Sequence, residues 1–118
     1  MSLTILYVGG HRVAADAVKE TLEAEGWRVV VCTDGTAALR KISSLTRYDL
    51  LILDHHPPNV DAPELASYAR QLRHRQDISI IMLSATLSDR EAYGSGISLF
   101  LKKPEGITSL VQSIHELT

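Results

Sequence analysis

Short apolar runs alternate five times with longer stretches whose apolar residues recur at helical spacing, and this alternation limits the possible folds more than any other feature of the chain. Residues 3–8 form a near-continuous apolar run that ends in Gly9-Gly10, as a strand buried on both faces should. Val13, Ala14, Ala17, Val18 and Leu22 then follow helical spacing, and Gly26 suits a helix C-terminus. Residues 28–32 read as a second strand, and Asp34-Gly35 opens a helix carrying Ala38, Leu39 and Ile42. The third and most apolar strand, residues 48–53, delivers Asp54 at its end. Asp61 followed three residues later by Glu64 is a capping-box arrangement that starts a helix burying Leu65, Tyr68, Ala69 and Leu72. A fourth strand spans 78–83, and Ser88 with Glu91 opens a short helix that stops near Gly94. A fifth strand at 97–101 and a last amphipathic helix through Ile107, Leu110, Val111, Ile114 and Leu117 complete the pattern.

Five strands alternating with five helices imply one parallel sheet covered on both faces. At 118 residues the chain is one domain's worth, so residues 1–118 are read as a single unit. The expected fold is α/β: a flavodoxin-like, three-layer, doubly wound parallel sheet with strand order 2-1-3-4-5. In such sheets the functional crevice lies beyond the carboxyl ends of the strands. That rule narrows the chemistry to Gly9-Gly10-His11, Asp54-His55-His56, Ser84-Ala85 and Lys103-Pro104.

Bulk properties exclude several classes. A formal charge of −2 with no basic stripe argues against direct nucleic-acid binding. No apolar run approaches the roughly 20 residues needed to cross a bilayer, and no signal peptide is legible, so a cytoplasmic domain is expected. The lone Cys32 cannot form an internal disulfide. Asp54, His55 and His56 do not make a metal cluster, because adjacent side chains diverge and other ligands at suitable spacing are lacking. Gly9-Gly10-His11-Arg12 lacks G-x-G-x-x-G spacing and reads first as an ordinary strand–helix turn, with an anion cradle as the alternative.

Asp54, Ser84 and Lys103 bring a carboxylate, a hydroxyl and an amine to three consecutive strand ends. A carboxylate can act as nucleophile toward a phosphoryl donor. The oxygens of the resulting aspartyl phosphate need a cation and a hydrogen-bond donor, which Lys103 and Ser84 can supply.

Four segments carry a resemblance to the receiver domain of bacterial response regulators. They are Asp54-His55-His56-Pro57-Pro58-Asn59-Val60-Asp61-Ala62, Met82-Leu83-Ser84-Ala85, Phe100-Leu101-Lys102-Lys103-Pro104 and Asp34-Gly35-Thr36-Ala37-Ala38-Leu39. The resemblance covers essentially the whole chain at the right spacing. It implies a signalling module rather than an enzyme, with Asp54 as phosphoacceptor and Lys103 as the phosphate's salt-bridge partner. It also implies that Ser84 and Phe100 form a switch, and that Phe100 lies between the short helix and the last one. The implied partners are a sensor histidine kinase or phosphotransfer protein, and a second copy docking through the fifth strand and last two helices. Magnesium is the implied cofactor, held by Asp54, the His56 carbonyl and two adjacent acidic residues at the end of the first strand. Here Gly9 and Gly10 occupy the acidic positions, and Ala62 stands where glycine is usual. Magnesium favours oxygen ligands that include carboxylates, so its seat is expected to be impaired. Two readings follow from the resemblance: a phosphorylated receiver with a degraded metal site, or a pseudo-receiver that binds partners without phosphorylation. Without a metal, Lys103 is the cation expected to be held toward Asp54.

Overall fold

The carboxyl ends of five parallel strands are set by local signals that a reader of the chain can follow one at a time. The computed structural model describes residues 2–54, 59–84, 94, 96–102 and 109–118. Strands β1 (Thr4–Val8), β2 (Arg28–Cys32), β3 (Leu50–Asp54), β4 (Ser79–Ser84) and β5 (Leu99–Lys102) form one sheet in the order β2-β1-β3-β4-β5. All four pairings are parallel. The order is the expected one. Among the described residues there are four α-helices: α1 (Arg12–Glu23), α2 (Gly35–Ser43), α3 (Ala62–Gln71) and α4 (Leu110–Leu117). A 3-10 turn, Arg73–Arg75, follows α3. Residues 88–93, where the short helix is expected, lie outside the described residues.

Alternation along the strands builds two cores. Leu6, Val8, Leu51, Leu53, Ile80 and Met82 face α2 and α3, whereas Ile5, Tyr7, Leu50, Ile52, Ile81 and Leu83 face α1 and α4. Because both faces are covered, β3 is buried along its entire length. This explains its unbroken apolar sequence.

Three of the described helices start on a side-chain cap. His11 caps α1 by accepting from Ala14 N through Nδ1, at 3.4 Å. Asp34 Oδ1 accepts from Ala37 N at 2.8 Å, and Asp61 Oδ1 accepts from Glu64 N at 3.0 Å. These side chains satisfy amides that lack partners in the first turn. Gly35 follows its cap because the backbone of Val60 presses on it, 2.5 Å from where a Cβ would stand. The D-G opening of α2 is therefore a contact requirement. After α1 the chain reverses at Gly26, whose φ of +87° suits glycine best.

Two arginines tie the opposite, amino end of the sheet together. Arg75 is only 3% exposed. Its Nε donates to Ile42 O at 3.0 Å, and its Nη2 donates to Ser44 O at 2.9 Å and Thr46 O at 2.6 Å. These acceptors include carbonyls at the negative end of α2. The Arg75 guanidinium also sits 5.0 Å from the Tyr48 ring centre. Arg70 donates to Gly96 O, Gln76 O and Ile78 O, joining α3 to the entries of β4 and β5.

Candidate phosphoryl-accepting site

Register places the site. Cα pairing sets Leu53 beside Met82 and Asp54 beside Leu83, and it sets Ser84 beside Lys102. Asp54 and the Ser84 backbone thus stand at neighbouring strand ends, as the sequence led us to expect. The Ser84 side chain, His56 and Lys103 lie outside the described residues. So does the expected approach of Lys103 to Asp54. Phe100 pairs with Met82 and is half-buried on the α2–α3 face. Its neighbours Leu99 and Leu101 face the side occupied by α4. Strand alternation thus turns the Phe100 ring to the α2–α3 face, and the short helix expected beside it falls on residues outside the described ones.

Asp54 is buried, at 8% exposed. Among the described residues Tyr7 is a close neighbour of its carboxylate. Tyr7 stands on β1 opposite Ile52, on the same face as Asp54, and is 1% exposed. Its ring runs along the strand toward Gly9, which brings its hydroxyl beside Asp54. A Cβ on Gly9 would lie 2.9 Å from Tyr7 Cε1, 3.1 Å from the Tyr7 oxygen and 3.2 Å from Asp54 Cβ. Burial, then the nearby charge of Asp54, hold the phenol well above its ordinary pKa. Sequence reading counted Tyr7 only as part of an apolar strand. The available signal was an aromatic residue two positions before a glycine, on one face of a strand that leads to a carboxylate.

Gly9 continues the β1 ladder by donating from N to Cys32 O at 3.0 Å. The next residues form the cap of α1 rather than an open cradle: His11 caps the helix, and Arg12 Nε pairs with Asp16 at 3.2 Å. Among the described residues no group of three or more His, Cys, Asp or Glu side chains could hold a metal ion. A recess of about 440 Å³ opens at the other end of the sheet, lined in part by Arg47, Tyr48, Arg73 and His74. It lies on the Arg75 side and takes no part in the chemistry of Asp54. Buried Cys32 packs with the α2–α3 core, where desolvation pushes its thiol pKa up. No helix among the described residues is long and apolar enough to cross a membrane.

Comparison with known proteins agrees with this geometry. The response regulator receiver domain family matches residues 5–115. The sensor protein EvgS of Escherichia coli O157:H7 is 34% identical over 98% of this chain, which covers 10% of that protein. The response regulator MprA of Mycobacterium ulcerans is 33% identical over 99% of this chain and 50% of its own length. The chain thus spans half or less of these relatives. Among solved structures, the receiver domain of sensor histidine kinase PA1611 from Pseudomonas aeruginosa has magnesium coordinated in its active-site cleft. It superposes with a TM-score of 0.88 at 26% identity, covering 98% of this chain and 97% of its own. The Thermotoga maritima response regulator TrrA, solved in complex with Mg(2+)-BeF, gives a TM-score of 0.86 at 28% identity and covers 98% and 99%.

Proposed function

Because this chain belongs to the response regulator receiver domain family, we propose that it is the receiving module of a two-component phosphorelay, with Asp54 as phosphoacceptor and an impaired magnesium seat. The observation that carries the reading is the placement of Asp54, a buried carboxylate at the carboxyl end of the central strand of a 2-1-3-4-5 sheet. In the transfer, a carboxylate oxygen of Asp54 would bond to phosphorus while the donor's leaving atom, an imidazole nitrogen of a phosphohistidine or an oxygen of an acyl phosphate, keeps the electron pair of the broken bond. Lys103 would balance the phosphoryl charge, and Ser84 would hydrogen-bond a phosphoryl oxygen. Phe100 would change its packing as Ser84 moves. A short helix over 88–94, the fifth of the fold, would flank this surface.

Receiver domains bind magnesium in this cleft. The donors here fit that ion poorly, because Gly9 and Gly10 supply no side-chain oxygen. Asp54 and the His56 carbonyl are the protein ligands left by the resemblance. The donor of the phosphoryl group would be a sensor histidine kinase or a phosphotransfer protein in the cytoplasm. Output would go to a protein, including a second copy docking through the fifth strand and last two helices. The net charge of −2 favours such a partner over nucleic acid.

Incubation with a small acyl phosphate and magnesium should add one phosphoryl group to Asp54, slowly and incompletely, as read by intact mass and peptide mapping. Modification that persists in Asp54→Asn contradicts this assignment. The glycine pair favours a second reading, a pseudo-receiver that binds its partner without phosphate. In that case Asp54→Ala should bind as well as the parent chain, whereas a phosphorylated switch should lose most of its affinity.

A further inference from the structure

We propose that the Tyr7 ring occupies the magnesium seat beside Asp54, so that the seat is closed by an internal side chain as well as stripped of carboxylates. The proposal rests on the receiver reading and deepens it. Tyr7 and Gly9 share one face of β1, and the tyrosine ring fills the space that a side chain at position 9 would need. Contact at 2.9 Å from Cε1 involves a ring packed in the core, with little freedom to give way. An acidic residue at position 9 and tyrosine at position 7 therefore exclude each other as the backbone stands. The phenol oxygen and Asp54 Cβ lie 3.1 and 3.2 Å from the point where that side chain would start, so the hydroxyl stands beside the carboxylate that a cation would otherwise approach. Gly9 and Tyr7 act as one paired change: glycine makes room, and the tyrosine ring fills it.

The pairing makes a prediction that loss of the acidic residues alone does not. Gly9→Asp with Gly10→Asp should fail to rebuild the seat while Tyr7 remains. Adding Tyr7→Val should open it. The probe is magnesium alone, titrated by calorimetry into the parent chain, Tyr7→Val, the double variant and the triple variant, each checked for cooperative unfolding. The triple variant should bind magnesium about tenfold or more tightly than the double variant, and Tyr7→Val alone should gain little. A folded double variant that matches the triple overturns the proposal, as does a folded triple variant that gains nothing.

A gentler substitution keeps the test open if the triple variant does not fold. Tyr7→Phe retains the ring and removes only the hydroxyl beside Asp54, so the carbon-13 carboxylate resonance of Asp54 should move while those of Asp34 and Asp61 stay. An unmoved Asp54 resonance overturns the proposal. A triple variant that binds magnesium yet takes no phosphoryl from a small acyl phosphate supports the role of Tyr7 and sinks the receiver reading instead.

Discussion

Tyr7 carries two consequences that belong to the single residue. Tyr7→Phe removes a buried hydroxyl that stands beside a carboxylate, and the expected loss is about 1–2 kcal/mol in urea unfolding. The second consequence is a dependence on pH. The folded-state pKa of Tyr7 is raised above the ordinary phenol value of about 10. A group raised in this way contributes its stability in full below the unfolded value. It loses that stability above it, where the unfolded chain ionises and the fold does not. The stability difference between parent and Tyr7→Phe should therefore be flat below about pH 9 and shrink above pH 10 by about 1.4 kcal/mol per pH unit. A difference that grows with alkalinity would contradict this assignment. Asp54 was legible in the sequence because it ends the most apolar run. Its neighbour Tyr7 was not, because reach across from β1 to β3 depends on ring direction and strand register rather than on local spacing.

At the scale of elements, helix starts were the most legible features. Asp34 and Asp61 cap the helices they were expected to cap, since capping depends on neighbours three residues away. Strand limits moved slightly: β4 runs from Ser79 to Ser84 and β5 from Leu99 to Lys102, each beginning later than its apolar run. Part of the reason at β5 is Ser98, whose Oγ accepts from Ile80 N at 2.9 Å before the strand begins. The arginine ties were invisible, because Arg75 meets Ile42 O across 33 positions of sequence. Arg75→Met should cost about 2–3 kcal/mol by leaving buried carbonyls without a donor. It should leave Asp54 chemistry unchanged, and urea midpoints with acyl-phosphate labelling check both statements. Gly35→Ala should also destabilise, by about 1–3 kcal/mol, because its methyl meets the Val60 backbone.

The whole molecule follows from alternation at two periods. Strand runs buried on both faces demand helices on both faces, and right-handed crossovers between parallel strands leave few strand orders. The order β2-β1-β3-β4-β5 then fixes the carboxyl ends of β1 and β3 as neighbours. This is why Tyr7, Gly9 and Asp54 meet although 47 positions separate the first from the last (54 minus 7). The docking face expected over residues 88–93, 97–101 and 106–117 belongs to this scale too. Substitutions at Tyr93, Phe100 and Gln112 should weaken partner binding in a folded protein, and binding untouched by all three would argue for another face.

The central claim is that the Asp54 end of this sheet is the phosphoryl seat, and amide nuclear magnetic resonance with magnesium and beryllofluoride, a phosphoryl analogue, tests it most directly. Shifts should gather at Gly9, Asp54 and Ser84, demand high magnesium, and vanish in Asp54→Asn. Shifts that gather at His74 and Arg75 on the opposite end, or that survive Asp54→Asn, would contradict it.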